Sequence, residues 1–399
     1  MPHAVTPLLC RLHTPAVVCP LGDDLAGIAA RLFDGQRGLN TSDAFTPGRA
    51  LPLGQVTTSL PDDSGWPARH RSRNNRLLAA ALEHLAPTLD AYQRRCPGAR
   101  IGVVLGTSTS GIGATETAIA QYDAHGELPA NFHYQRHEIG ASARFIAEQL
   151  GLSGPAYTLS TACTSSAKAL TSARRLLANG TCDAVITGGA DSLCELTVNG
   201  FAALEAVSDA PGQPFCAERQ GLNLGEAAAL FLLTAEPGGI QLSGYAETSD
   251  AHHISAPRPD GDGARQAMQG ALDMAGITPG EVGYLSLHGT ATPLNDSMEA
   301  NAVAALADGE RIPCSSTKAL TGHTLGACGA LEAAFCWLAL QHDSLPPQVH
   351  DQPLDSAIPT LGFVSAETPK APPQGLRYAL SNAFAFGGNN IALLLEQTP

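Results

Sequence analysis

The sequence predicts an α/β protein, and three observations carry that prediction. Near-continuous apolar runs of strand length alternate with Ala/Leu-rich stretches of helical periodicity. Hydrophobic residues make up 44% of the 399 and charged residues only 15%, the composition of a chain with much buried surface. No low-complexity tract or short repeat interrupts the alternation. The segments RIGVVLG (100–106), DAVITGG (183–189), AALFLLT (228–234), VGYLSLH (282–288) and NIALLLE (390–396) read as strands. Apolar throughout rather than alternating, they predict sheets covered on both faces. The sequence EPGGIQ at 236–241 breaks the pattern and marks the joint between two halves, 1–238 and 239–399.

Composition narrows the function. No stretch reaches the ~18 apolar residues of a membrane span, and the N-terminus lacks a basic start leading into a long apolar run, so a soluble cytoplasmic protein is expected. Ten cysteines at irregular intervals, with no CxxC pair and no His/Cys cluster at zinc spacing, point to neither a disulfide framework nor a structural metal. A net charge of −14, from 23 Lys+Arg against 37 Asp+Glu, disfavours non-specific nucleic-acid binding. The Gly-rich loop GTSTSGIGATE completes neither GxGxxG nor GxxxxGK[ST], so nucleotide binding finds little support.

Four segments carry residues suited to chemistry. In YTLSTACTSSAKALTSARRLLANG a strand-like run ends near Ser160 and a helix starts close to Cys163. Leu170, Ala173, Leu176 and Leu177 fall on one helical face, and Asn179-Gly180 supplies a stop. A thiol at a helix N-terminus is expected to have a pKa below its free value of ~8.5. LSLHGTATPLNDSMEA puts His288 at the end of a buried strand, before a turn. CSSTKALTGHTLGACGALEAAF carries Lys318, one of three lysines in the chain, and His323 ahead of a helix whose Leu331, Ala334, Phe335 and Leu338 face the core. SNAFAFGGNNIALLLEQ contains Gly387-Gly388, which lets backbone approach a ligand and present N–H groups to an oxyanion. Taken singly, each also fits a plain structural role: a buried small thiol, a satisfied histidine, a tight turn.

Taken together, TACTSS, HGTATPLND, TKALTGHTLGACGALEA and SNAFAFGGNN resemble the signature segments of the β-ketoacyl-acyl carrier protein synthases, in that family's order and spacing. The two histidines are similar to the elongating branch of discrete, type II systems. The resemblance covers nearly the whole chain and is weakest before about residue 101. It implies a thiolase-like fold, two similar βαβαβ halves in a five-layer αβαβα arrangement, usually as a homodimer, with a heterodimer with a related subunit also open. It implies that Cys163 accepts the acyl group, that His288 and His323 donate hydrogen bonds to the malonyl thioester carbonyl as carbon dioxide leaves, and that Lys318 tunes the site with Glu299 as its ion-pair partner. The N–H groups of Cys163 and Phe386 would form the oxyanion hole, with Phe386 gating the acyl pocket. Thr290 and Thr292 would bond the phosphopantetheine arm, and Phe384, Phe386, Gly387 and Gly388 would line the substrate. Glu332, with Ser381 and Asn382, matches a monovalent-cation site of some members. The implied reaction needs no metal or redox cofactor, because its substrates ride on the phosphopantetheine of an acyl carrier protein. Such a carrier is expected to be acidic, and WPARHRSRNNRLL offers it Arg69, Arg71, Arg73 and Arg76.

Two departures from the family pattern, Gln220 before the Gly of ERQGLNLGE and Asn389 in the Gly-rich loop, leave the subfamily and substrate open between fatty-acid and polyketide or polyene elongation. Two rival readings remain. A non-catalytic chain-length-factor type of subunit is opposed by the presence of Cys163 and both histidines. A thiol hydrolase is opposed by the absence of an evident acidic residue beside either histidine.

Overall fold

The computed structural model describes residues 9–365, 367 and 375–398. The very start of the chain, read above for a basic leader, lies outside them. Short strands β1 (Arg11–Leu12) and β2 (Ala16–Val18) precede α1 (Leu25–Phe33) and the ribbon β3 (Asn40–Ser42) and β4 (Leu51–Leu53). The first arm continues through α2 (Arg73–Arg95), β5 (Ile101–Gly106), α3 (Ile112–His125), α4 (Ala141–Gln149), β6 (Ala156–Leu159), α5 (Ser165–Ala178), β7 (Ala184–Asp191), α6 (Glu195–Ala203) and β8 (Ala227–Thr234). The second arm runs β9 (Gly239–Ser249), α7 (Asp262–Ala275), β10 (Tyr284–Ser286), α8 (Pro293–Ala307), β11 (Pro313–Ser315), α9 (Lys318–Thr321), α10 (Cys328–His342), β12 (Gly362–Phe363), β13 (Tyr378–Ala385) and β14 (Asn389–Thr398).

All five apolar runs form strands. The segment 282–288 contributes only Tyr284–Ser286, because the chain leaves the sheet after the Leu287 N–H reaches the Ser315 carbonyl, and this departure carries His288 out of the ladder. Among the described residues the strands join in the order β12-β11-β10-β13-β14-β9-β1-β8-β7-β5-β6, with β2 on β8. Each arm has parallel strands outermost (β5, β6 and β7 in one, β10 to β13 in the other) and antiparallel pairings toward the middle.

Helices fill three further layers. α2 and α4 pack on one arm, α7 on the far side of the other with α8 against it, while α5 and α10 touch each other and strands of both arms. This is the five-layer αβαβα arrangement implied by the resemblance. α10 is buried from Cys328 to Leu340 without a polar face, which explains its lack of amphipathic periodicity. No helix among the described residues is long and apolar enough to cross a membrane.

The central helices approach the sheet and each other more closely than ordinary side chains permit. A Cβ on Gly106, the last residue of β5, would stand 2.2 Å from the Ser166 N, and one on Gly329 would stand 2.8 Å from the Ala167 N. These two absences of side chain let the start of α5 sit against both β5 and α10. Adding a methyl at either position forces backbone to move, which costs about 1–3 kcal/mol. Gly106→Ala is therefore expected to lower the midpoint of chemical denaturation and, by displacing the start of α5, the rate of Cys163 modification; a variant matching wild type in both would show that this approach has slack.

Candidate active site

Cys163 lies between the end of β6 and the start of α5, two residues before the first helical position. Ala162 before it is held at φ 52°, a left-handed conformation uncommon for a residue with a side chain, and this sharp turn redirects the chain into the helix. Hydrogen bonds fix the turn: the Thr161 N–H to Ser165 Oγ at 2.9 Å, and the Ser165 and Thr164 hydroxyls to the Ala162 and Thr161 carbonyls at 2.6 and 2.7 Å. Cys163 is only 7% exposed, and its Sγ is 3.0 Å from His323 Nε2. The thiol pKa is not lowered as the helix start suggested. Burial pushes it up to about 12, against the opposing pull of the Lys318 ammonium. A neutral thiol beside a neutral imidazole is the resting pair.

His323 is clamped by its backbone, its N–H reaching the Asn223 carbonyl at 2.7 Å and its carbonyl accepting from the Gly225 N–H at 2.9 Å. Burial and then Lys318 hold its imidazole well below the ordinary histidine range. His288 is depressed in the same way by burial, Lys318 and His323. The two rings stand edge to face with centroids 5.3 Å apart, and Phe384 packs edge-on against His288 at 5.9 Å. Lys318 Nζ lies 3.3 Å from His288 Nδ1. An ammonium can only donate there, so Nδ1 accepts and Nε2 carries the proton.

The ion-pair partner of Lys318 is Glu332 on α10, not Glu299. Glu299 instead turns to the backbone of the preceding loop, its carboxylate accepting from the His288 and Gly289 N–H groups at 2.7 Å each and from Asn382 Nδ2 at 3.1 Å. Both acids are fully enclosed, and burial raises each to about 7, against Lys318 for Glu332 and against its amide donors for Glu299. Burial opposes the charge on Lys318, but Glu332 restores it and raises its pKa overall. The second oxygen of Glu332 and the Asn382 Oδ1 are buried with no hydrogen-bond partner in the protein.

Cys163, His288 and His323 meet at the inner end of a cavity of about 290 Å³, which Thr290, Thr292, Phe384 and Phe386 also line. The Thr290 and Thr292 hydroxyls bond each other at 2.8 Å around Ala291, itself at φ 64°. Phe386 is 41% exposed rather than a core aromatic, and it leans on Phe201 of α6 with centroids 5.6 Å apart. Gly387 and Gly388 follow at φ 81° and 75°, a turn that ordinary residues resist. Asn389 has a local reason: its Oδ1 accepts from Lys168 Nζ of α5 at 2.9 Å, tying the Gly-rich loop to the nucleophile's helix.

The four arginines do not gather around this cavity. Arg73 and Arg76 line a different one. Each guanidinium already has a partner in the chain: Arg69 with Glu148, Arg71 with the Trp66 carbonyl, Arg73 with the buried Glu226, and Arg76 with the Leu60 and Pro61 carbonyls. The segment is held by folding contacts, which the sequence pattern of alternating arginines does not reveal. Conversely, sequence reasoning passed over Asp191. Fully buried at the end of β7, it accepts from the N–H groups of Ser108 and Thr109 at 2.9 Å and of Gly326 at 2.6 Å, and from the hydroxyls of Thr107, Ser108 and Thr109. The available signal was a lone carboxylate closing an otherwise apolar strand.

Comparison with known proteins identifies the family. The family model described as "Beta-ketoacyl synthase, N-terminal domain" matches residues 64–237, and "Beta-ketoacyl synthase, C-terminal domain" matches 240–352. A 3-oxoacyl-[acyl-carrier-protein] synthase 2 of Rhizobium meliloti is 36% identical over 320 residues, 74% of each chain, and one of Staphylococcus aureus is 33% identical over 314 residues, 74% of this chain and 77% of that one. Among solved structures, a ketosynthase (ApeO) in complex with its chain length factor (ApeC) from Xenorhabdus doucetiae superposes with a TM-score of 0.92 at 43% identity, covering 98% of both chains. A β-ketoacyl synthase from Burkholderia phymatum superposes with a TM-score of 0.87 at 26% identity, covering 98% of this chain and all of that one. On both family models, and on relatives above 30% identity across three quarters of its length, this chain belongs to the β-ketoacyl synthase family of condensing acyltransferases.

Proposed function

We propose that this enzyme elongates acyl chains by decarboxylative condensation through Cys163, His288 and His323, and the observation that carries the assignment is the meeting of one thiol and two neutral imidazoles at the inner end of one cavity. In the first half-reaction the Cys163 sulfur attacks the carrier-bound acyl thioester. A carbon–sulfur bond forms to Cys163, the bond to the carrier's sulfur breaks, and the Cys163 proton ends on the leaving thiolate. The N–H groups of Cys163 and Phe386 hold the transient oxyanion.

In the second half-reaction malonyl-carrier enters. The bond to its carboxylate breaks, carbon dioxide leaves, and the electron pair forms an enolate whose oxygen accepts from the Nε2–H groups of His288 and His323. The enolate carbon attacks the acyl-enzyme, a carbon–carbon bond forms, the bond to Cys163 sulfur breaks, and the departing thiolate takes from solvent the one proton that the decarboxylative condensation consumes. Lys318 fixes the His288 tautomer through Nδ1. Loss of a single oxyanion donor typically costs ~2.7–4 kcal/mol. Glu332, Ser381 and Asn382 would hold a monovalent cation that balances charge behind the histidines.

The nucleophile belongs to the half 1–238 and the histidines to 239–399, a division supported by the break between the two matched family models at 237 and 240. Ten unpaired cysteines fit a reducing, cytoplasmic setting. A dimer, with a second copy or a related subunit, is supported by α3, which buries only Ala118 and leaves Ile119 and Tyr122 about half exposed beside Leu196 of α6. The heterodimeric alternative draws support from the Xenorhabdus relative, whose solved structure is a complex with its chain length factor. The substrate class stays between fatty-acid and polyketide or polyene intermediates, and carriers of both kinds belong in the assays.

Removing sulfur leaves the enolate donors intact. Cys163→Ala should therefore lose acyl-enzyme and condensation while retaining malonyl decarboxylation, measured by intact mass and carbon dioxide release. His288→Ala and His323→Ala should still become acylated but slow the carbon–carbon step by about 10²–10³-fold. An active Cys163→Ala enzyme, or acyl mass on another cysteine, would overturn the mechanism.

Only thiolate is alkylated, and a group whose pKa is raised gains thiolate by about tenfold per pH unit everywhere below that pKa. The rate of Cys163 alkylation by iodoacetamide should thus climb from pH 6 to 9 without levelling. A plateau below pH 8 would mean that the helix start and Lys318 outweigh burial. Phe386→Ala should broaden the product chain-length distribution with little change in melting temperature, because the ring is not in the core; a lowered melting temperature with an unchanged product profile would argue against gating.

A further inference from the structure

We infer that Cys163, His288 and His323 make up a latent binding site for a thiophilic divalent cation such as zinc, and that Lys318 keeps the metal out by the direction of its hydrogen bond to His288. The inference goes beyond the reaction proposed above and rests on the geometry of these four side chains. The Cys163 sulfur and one ring nitrogen of each histidine lie within 4.8 Å of one another, and all three residues are buried. Tetrahedral zinc, with bonds of ~2.3 Å to sulfur and ~2.0–2.1 Å to nitrogen, holds its ligand atoms roughly 3.3–3.6 Å apart. The 3.0 Å between Cys163 Sγ and His323 Nε2 is a small movement from that spacing. A fourth position would open on the cavity of about 290 Å³ that all three residues line. Three sulfur and nitrogen ligands with one open position is the arrangement that holds catalytic zinc. A metal bound there would expel the thiol proton to solvent and occupy the sulfur that the acyl group needs.

What opposes the metal is the tautomer of His288. A histidine that ligates through Nε2 carries its proton on Nδ1, and metal sites place a hydrogen-bond acceptor against that N–H. Here the neighbour is a donor. Lys318 Nζ lies 3.3 Å from His288 Nδ1, and an ammonium has no lone pair with which to accept. Metal on Nε2 would shift the ring proton to Nδ1 and set one N–H against another. Lys318 has no solvent to turn into, because its side chain is only 4% exposed and its ammonium is paired with Glu332. His323 offers no comparable resistance: its Nδ1 is buried without a hydrogen-bond partner, so no contact there fixes its tautomer. The block therefore rests on His288. A second set of metal-type ligands, His288, Cys328 and Glu332, also lies within 4.8 Å, and the Lys318 ammonium contacts two of its three members. One lysine thus guards both sets through the histidine they share.

The test titrates the full-length enzyme with cobalt(II), whose binding to a thiolate adds a charge-transfer absorbance, and then with zinc(II) as competitor. Lys318→Met/Glu332→Gln removes one positive and one negative charge together, so the net charge of the site is unchanged and the donor at Nδ1 is lost. This variant should bind one cobalt ion about 10–100-fold more tightly than wild type, with the thiolate band, and zinc should displace it. Lys318→Gln, whose amide can accept from Nδ1–H and still donate to Glu332, gives the same comparison if the double variant does not fold. Adding Cys163→Ser should abolish the band. Equal affinity in wild type and variants overturns the proposal, whether all bind tightly or none binds. A thiolate band that survives Cys163→Ser also overturns it, by placing the metal on Cys328. Binding is read without turnover, so failure here is distinct from failure of the condensation chemistry, which is read by acyl-enzyme mass and carbon dioxide release.

Discussion

The buried carboxylate of Asp191 is the constraint on which the relative placement of the catalytic groups depends. It gathers N–H donors from the loop that follows β5 and from the turn that precedes α10, thereby fixing the first arm of the fold to the segment that carries His323. A carboxylate so deeply enclosed is tolerated only because backbone and hydroxyl donors satisfy it. The backbone bridge between Leu224 and His323 repeats the connection from another side. Between them they give a thiol from one half and an imidazole from the other a hydrogen-bonding distance of 3.0 Å.

Exclusion of water sets the chemistry of the site. Both histidines are kept neutral by burial and by the Lys318 ammonium, so each meets developing negative charge as a neutral N–H donor. Lys318 stays charged because Glu332 is against it. Glu299 acts on backbone rather than on the cation: by accepting from two successive N–H groups it fixes the loop at which the chain leaves β10, and with it the direction of the His288 ring. The same burial that makes the imidazoles suitable donors makes the thiol a poor acid.

The outer surface reflects a different division. Around the cavity mouth apolar side chains are exposed and nearby cations are paired, whereas the arginine-rich segment at the start of α2 is consumed by internal contacts, among them Arg73 with the buried Glu226. The two surfaces line separate cavities. Charge counted along a sequence therefore located basic residues without locating available charge.

What the sequence determined by itself was whatever local pattern can encode: the apolar runs that became strands, the stop after α5 at Asn179-Gly180, the break before β9, and the four short segments bearing Cys163, His288, Lys318, His323 and Phe386. These depend on neighbours within a few residues, though the run at 282–288 keeps only Tyr284–Ser286 as strand and β9 begins inside the break, at Gly239. Tertiary structure decided the quantities that depend on distant residues. Lys318 pairs with Glu332 and not Glu299 because Glu332, fourteen residues along the chain in the second turn of α10, lies against its ammonium, while Glu299 faces the loop before its own helix. Cys163 is a weak acid because α5 starts deep inside the molecule, where the loss of hydration outweighs the lowering expected at an exposed helix start. Asp191 became a hub because the partners that satisfy it come from residues 107–109 and 326, separations over which no local pattern carries information.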